Sequence, residues 1–378
     1  MKSPNEISQF ILFTAAVVGV INLLSYHHLV ILFTQYKPLT LLLSIASVLS
    51  LVAGAFLVAS RAQASQDPED VIRTETDLTN VLLTATDKQN RMITTLREED
   101  LRVLEDGVPQ KLFTFQRETD RPLSIALLID VSASEERMLS DEKAAARSFI
   151  ETIIRSSKDQ AAIIPFTDYA YLEQGLTPNV LAVYQALERI EVALPSYVGT
   201  GRKISGISSG PGTIANPREG STAIWDAVTV SAGEILTGSP GQRRRAIILL
   251  TDGQDTSSRV TRGAAIDKAL EAETVIYAIG IGDSRYEGID KGALNNVAER
   301  TGGRAFFPKK GADLTSVFAE IEKELRSQYL LAYSSANKNR DGAFRQTRIE
   351  IVNPDLRKDQ LRLRYRPGYF AKPLNSRR

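Results

Sequence analysis

The chain has 378 residues, 46 Lys and Arg against 45 Asp and Glu, and a formal net charge of +1. Its length suits two domains, and the even charge balance argues against a nucleic-acid surface. There is no cysteine, and both histidines, His27 and His28, sit in an apolar N-terminal region. That excludes disulfides, thiol nucleophiles, a Ser-His-Asp triad and His or Cys metal ligands from the globular part. A metal held there has only oxygen ligands, which favours Mg²⁺, Ca²⁺ or Mn²⁺.

Residues 1–64 form a hydrophobic N-terminal region with two apolar stretches, 10–33 and 38–60, the second without charge. Each is close to the ~20 residues that cross a bilayer. Two arrangements fit. The stretches are transmembrane segments, or Lys37 flanks a signal peptide cleaved after Ala62-Gln63-Ala64. Lys2, Lys37 and Arg61 fall on all three flanks, so charge does not orient the segments. The reading adopted is export beyond about Ser65. The protein is then membrane-anchored or secreted, with its domain on the periplasmic or extracellular side.

Residues 65–120 read as a polar linker and an N-terminal β segment. "LTNVLLTATD" alternates loosely, and "LRVLEDGVPQKLFTFQRE" reads as two strands around an "EDG" turn. Over 121–327 strands alternate with helices. "LSIALLID" is a continuous apolar run, as expected of a strand buried on both faces. The helix that follows takes Ser140 as N-cap and Phe149, Ile150, Ile153 and Ile154 as its buried stripe. Further strands are read at "QAAIIPFTD", "AIILLTDG", "TVIYAIGIGD" and "RAFFP". Helices are read at "NVLAVYQALERIEVAL", "STAIWDAVTVSAGEIL", "TRGAAIDKALEAE", "ALNNVAERTGG" and "ADLTSVFAEIEKELRSQ". This is α/β, a doubly wound, mostly parallel sheet. Residues 328–378 return to β. The economical architecture inserts the α/β domain into a small β domain formed by the two flanking segments, since two or three strands alone bury little.

Ligands of an open parallel sheet bind at the carboxyl ends of its strands. Three loops on that face carry matching chemistry: Asp130-Val-Ser132-Ala-Ser134 after the first strand, Thr222 at the start of a helix, and Asp252 after "AIILLT". Two acids and three hydroxyls make an all-oxygen site for a small hard cation, and the low ligand charge suits Mg²⁺ better than Ca²⁺.

These residues resemble the von Willebrand factor type A (VWA) domain in its metal-ion-dependent adhesion site form. That pattern is D-x-S-x-S, then a Thr in a second loop, then an Asp after a later strand. The resemblance spans about 123–327, and the flanking "EDGVPQK" and "RPGYFA" are similar to those of bacterial VWFA-related proteins, which are typically exported. It implies a Rossmann-like fold and Mg²⁺ (or Mn²⁺) as cofactor. Ser132 and Ser134 would bind it directly, Thr222 directly or through water, and Asp130 and Asp252 largely through water. It also implies a protein partner that offers Asp or Glu to the metal. Ala133 stands where the family commonly has Gly and Glu135 where Met is common. Arg137 and Met138 take the places of acids that build a second cation site in some relatives, so that site is not expected.

Read singly, each residue also has a bland role: Thr222 as an N-cap, Asp252-Gly253 as a turn. Asp168 and Asp255 are read as turn residues rather than ligands. The long Gly- and Ser-rich stretch Ser196–Gly220 leads to the metal face, and Arg243–Arg245 is read as a solvated lead-in to a strand. The function expected is protein binding without catalysis. Two alternatives remain. An N-in membrane hairpin would make the protein a cytoplasmic-side assembly factor working with an ATPase. A phosphoryl-transfer hydrolase would need a second acid where Ser132 stands, and no phosphate-binding glycine loop follows the first strand.

Overall fold

The structure, a computed structural model, describes residues 78–117, 121–132, 138–192, 202–203, 221–238, 243–282, 288–309 and 313–373. The apolar stretches of residues 1–64 lie outside these. Among the described residues no helix is long and apolar enough to cross a membrane.

The first strands are β1 (Leu78–Thr86), β2 (Leu101–Glu105), β3 (Val108–Gln110) and β4 (Leu112–Arg117). Asp106 and Gly107, at φ 48° and 82°, turn β2 into β3, as a type I′ hairpin requires. The single strand expected after this turn is in fact two. β3 pairs with β2, whereas β4 leaves at Lys111 to pair with a C-terminal strand in another sheet.

Next come β5 (Leu123–Asp130), α1 (Leu139–Ile153), β6 (Gln160–Phe166), β7 (Tyr171–Leu172), β8 (Gln174–Thr177), α2 (Val180–Arg189) and β9 (Arg202–Lys203). They are followed by α3 (Ile224–Val230), β10 (Arg244–Thr251), α4 (Arg262–Glu271), β11 (Thr274–Gly280), α5 (Lys291–Thr301), β12 (Ala305–Phe306) and α6 (Leu314–Arg326). A six-stranded sheet runs β12-β11-β10-β5-β6-β8, with every pairing parallel except β6 with β8. All eight residues of β5 are buried, because helices cover both faces. Successive side chains take opposite faces. Ile125, Leu127 and Ile129 meet Phe149 and Ile150 of α1 and Phe318 of α6. Ala126 and Leu128 join Trp225 of α3, Ile266 of α4 and Leu294 of α5.

Two helix boundaries depart from expectation. Helix α1 begins at Leu139 with Met138 at its N-cap and no side-chain cap, so Ser140 lies inside the first turn. Helix α3 passes into a π turn over Ser231–Ile235, where Leu236 N–H reaches Ser231 O at 3.0 Å. Helix α5 ends at Gly302 with φ 88°, where a left-handed residue closes the helix and glycine carries no Cβ penalty.

The chain ends with β13 (Tyr329–Ser334), β14 (Phe344–Ile351), α7 (Pro354–Lys358), β15 (Arg362–Arg364) and β16 (Gly368–Phe370). They complete two four-stranded sheets, β15-β1-β13-β4 and β16-β14-β2-β3. Each sheet combines strands from before and after the α/β part: Leu82 pairs with Leu330, and Val103 with Ile349. Val81, Leu83, Val103, Tyr329, Leu331 and Tyr333 are packed in one core there. The buried carboxylate of Glu324 on α6 holds both Arg304, at 3.2 Å, and Arg364 of β15, at 3.0 Å.

Arg244 and Arg245 are buried, not solvated. Arg244 donates to the carbonyls of Leu325 (2.5 Å) and Arg121 (3.1 Å), and Arg245 to those of Leu236 (3.0 Å) and Ala272 (3.1 Å). The carbonyls of Leu325, Leu236 and Ala272 lie at or near the C-terminal ends of helices, where orphan oxygens and the negative dipole end attract a guanidinium, whereas Arg121 lies just before β5. The two cations thus fasten β10 to the helices on both sides of the sheet.

Candidate functional site

β5 and β10 are parallel neighbours, with Ile129 beside Leu250. From β5 the chain moves to β6 on one side, and later returns to β10 on the other. The strand order therefore reverses between β5 and β10, and a crevice opens at their carboxyl ends. Asp130 and Thr251 end these two strands.

Asp130 is 1% exposed. Its Oδ1 accepts the Ser132 N–H at 3.0 Å, and its Oδ2 accepts the Thr251 hydroxyl at 2.6 Å. Burial pushes the Asp130 carboxyl up to about 6. The nearby charge of Asp252 adds to the rise, and the hydrogen bonds from Thr251 and Ser132 oppose it. A desolvated carboxylate beside a second one is a place where a cation lowers the free energy. Ser132 is 4% exposed. Ser134 and its neighbours, residues 133–137, lie outside the described residues.

Thr222 is 5% exposed and precedes α3, whose N-cap is Ala223 rather than Thr222. The loop after β10 holds this segment. Thr222 N–H donates to Thr256 Oγ1 at 2.8 Å, and Thr222 O accepts from Thr256 N at 2.9 Å and Ser257 N at 3.1 Å. Asp255 Oδ1 accepts Ile224 N–H at 2.9 Å, and Ser258 Oγ accepts Trp225 N–H, also at 2.9 Å. The N-terminus of α3 is thus capped from another loop. Asp226 answers by accepting Arg259 N–H at 2.8 Å and Val260 N–H at 3.0 Å. Asp255 has a structural role here, and burial raises its carboxyl despite these hydrogen bonds. Asp168 accepts the Thr167 hydroxyl at 2.8 Å.

Asp252 is half-buried. Its Oδ1 accepts Gln254 N–H at 2.8 Å, an Asx turn, and its carbonyl accepts Asp290 N–H at 2.9 Å. Gly253 follows at φ 84°, and a Cβ there would come within 3.1 Å of Asp290 O. Asp252-Gly253 is therefore a tight turn, and it sets an acid on the rim of the crevice.

Asp130 and Ser132 are thus tied to the end of β10 through Thr251, and the loop after β10 carries Asp252 and holds the Thr222 backbone. The residues that hold them, Thr251, Asp255, Thr256 and Ser258, were not singled out as site residues in the sequence. A signal was present: "TDGQDTSS", Thr251–Ser258, is a dense polar run directly after a buried strand. Among the described residues no group of three or more His, Cys, Asp or Glu side chains is placed to hold a metal. Among the described residues the buried hydroxyls of Ser221 and Ser257 beside Thr222 find no hydrogen-bond partner.

The fold is a doubly wound α/β module with acids and hydroxyls at the switch point of its sheet. Residues 212–320 match the family model described as the von Willebrand factor type A domain. This match takes in Thr222 and Asp252 but begins after Asp130. VWA domains generally mediate protein–protein interactions. Comparison with curated proteins gives no match. Among solved structures, proximal thread matrix protein 1 from the mussel byssus aligns at 19% identity and a TM-score of 0.45, over 59% of this chain and 51% of its own. The chain thus spans about half the length of that protein. BatB from Bacteroides thetaiotaomicron aligns at 18% identity and TM-score 0.39, over 54% of this chain and 100% of its own. A von Willebrand factor type A protein from Catenulispora acidiphila aligns at 14% identity and TM-score 0.42, over 71% and 75%. Likenesses this distant carry no functional weight.

Proposed function

We propose that the VWA domain holds a divalent cation, Mg²⁺ or Mn²⁺, on Asp130, Ser132, Ser134, Thr222 and Asp252, and through it binds an acidic side chain of a protein partner. What supports this reading is that buried Asp130 and Ser132 end β5 beside β10, whose following loop carries Asp252 and holds the backbone of buried Thr222. The donor set fits a hard cation: two carboxylates, hydroxyls and no nitrogen or sulfur. Two carboxylates roughly neutralise a divalent ion, which leaves it able to attract a further carboxylate. The role is binding rather than catalysis, since Ser132 stands where a phosphoryl-transfer enzyme would need its general acid.

The two apolar stretches of residues 1–64 and the Ala62-Gln63-Ala64 sequence support a membrane-anchored or secreted protein with this domain on the outer side. EDTA or Asp130→Ala is expected to abolish partner binding while the fold survives. A partner that binds equally well in EDTA rules this mechanism out. An alkaline-phosphatase fusion near Ser65 tests the location. Activity supports export, and inactivity favours an ATPase-linked role on the cytoplasmic side.

A further inference from the structure

We propose that Thr251, which lies outside the set of cation ligands, is a positioning residue that locks the two halves of the site together. The inference rests on the cation-binding reading above and deepens it.

The geometry forms a directed chain. Gly253 N–H donates to Thr251 Oγ1 at 3.2 Å, and Thr251 Oγ1 donates in turn to Asp130 Oδ2 at 2.6 Å. The other oxygen of Asp130 takes Ser132 N–H at 3.0 Å. A hydroxyl that accepts from an amide on one side turns its proton to the other, and a carboxylate is acceptor-only. The chain therefore has one sense, from the Asp252-Gly253 turn on β10, through Thr251, to the Asp130-Ser132 turn on β5. Thr251 is fully buried and Asp130 nearly so, and a hydrogen bond to a charged group is strongest away from water. The backbone of Thr251 is fixed as well, since its carbonyl accepts Ile281 N–H at 3.0 Å.

The consequence concerns orientation. With Oδ2 held by Thr251, the Asp130 carboxylate is fixed in its plane and Oδ1 sets the Ser132 backbone. Without the hydroxyl, the carboxylate keeps its hydrogen bonds with Ser132 but loses the one that holds Oδ2, and with it the side-chain link from the end of β10 to the Asp130-Ser132 turn. Valine has the shape of threonine and neither donor nor acceptor, so Thr251→Val removes the link with little change in volume. Serine keeps it.

The test is isothermal titration of the full-length chain with Mn²⁺ and with Mg²⁺, for wild type, Thr251→Val and Thr251→Ser, with thermal melting in EDTA as the control for folding. Outer-sphere partners of metal ligands typically contribute 10–100-fold to affinity. Thr251→Val is expected to weaken cation binding by about that factor, and Thr251→Ser to stay within about threefold of wild type. Wild-type affinity in Thr251→Val, or loss in Thr251→Ser equal to that in Thr251→Val, overturns the positioning role while the cation reading stands. A wild-type chain that binds neither ion overturns the cation reading itself, and this inference with it.

Discussion

Asp255 Oδ1 lies 2.9 Å from the backbone nitrogen of Ile224, a residue 31 positions earlier in the chain. A side chain from the loop after β10 thereby caps α3 and fixes where Thr222 sits. N-caps contribute about 1 kcal/mol, and this one also sets one wall of the crevice. Asp255→Ala is expected to cost about 1–2 kcal/mol in urea unfolding. It should also weaken Mn²⁺ binding, although Asp255 is not among the proposed ligands. An unchanged Mn²⁺ affinity would separate the cap from the site.

Arg245 is buried against the carbonyls of Leu236 and Ala272. Arg245→Met keeps most of the aliphatic stem but takes the guanidinium donor away from both carbonyls, leaving Ala272 O only the Thr274 hydroxyl at 3.3 Å. Each such loss costs about 1–3 kcal/mol, so a destabilisation of about 2–4 kcal/mol is expected. A surface position, as a solvated lead-in would require, would change stability by less than about 0.5 kcal/mol. Chemical denaturation of the single variant distinguishes them.

Asp159 is buried and accepts from Leu123 N–H (2.8 Å) and Arg155 Nε (2.8 Å), with Arg326 Nη2 at 3.3 Å. Burial alone would raise its carboxyl. The hydrogen bonds and charge of Arg155 and the amide of Leu123 outweigh it and hold the carboxyl below the usual range. A lowered folded-state pKa stabilises the fold above the unfolded value of about 3.9. That stabilisation is lost as pH falls from there through the lower folded value. Wild type minus Asp159→Asn should therefore show a stability difference that is constant near neutrality and shrinks below about pH 4. A difference independent of pH down to 2.5 would contradict the ionised role.

A ligand that binds only the folded state stabilises by about 2.7 kcal/mol at 100 times its Kd. Saturating Mg²⁺ or Mn²⁺ is therefore expected to raise the melting temperature by about 5–10 °C, given about 2–4 °C per kcal/mol for a unit of this size. EDTA should reverse the rise, and Asp252→Asn should abolish it. A melting curve insensitive to both ions would argue against the site.

Several features were legible in the sequence for definite physical reasons. A strand buried on both faces reads as a near-continuous apolar run, so "LSIALLID" and "AIILLTDG" identify a parallel, helix-covered sheet. Its ligand face then follows from chain direction. The acids and hydroxyls at those strand ends were legible for the same reason, since nothing in a core requires them. Boundaries were less so. Ser140 looks like a cap because caps are local chemistry, but α1 starts where the Met138 carbonyl first finds the Glu142 amide, at 2.9 Å.

Sequence alone determined the chemistry available to this protein. Without His or Cys in the globular part, the site is limited to oxygen, and the order Asp130, Ser132, Ser134, Thr222, Asp252 puts that oxygen on three loops. Tertiary structure decided what those loops do to one another. Thr251 reaches Asp130 across 121 residues, Asp255 caps a helix it does not belong to, and Arg244 and Arg245 turn from an expected solvated lead-in into buried fasteners. None of these pairings has a local signature. A hydroxyl, an acid or a guanidinium reads the same in sequence whether its partner is water or a buried group far along the chain. Only the packing of the sheet against its helices removes the water and supplies the partner.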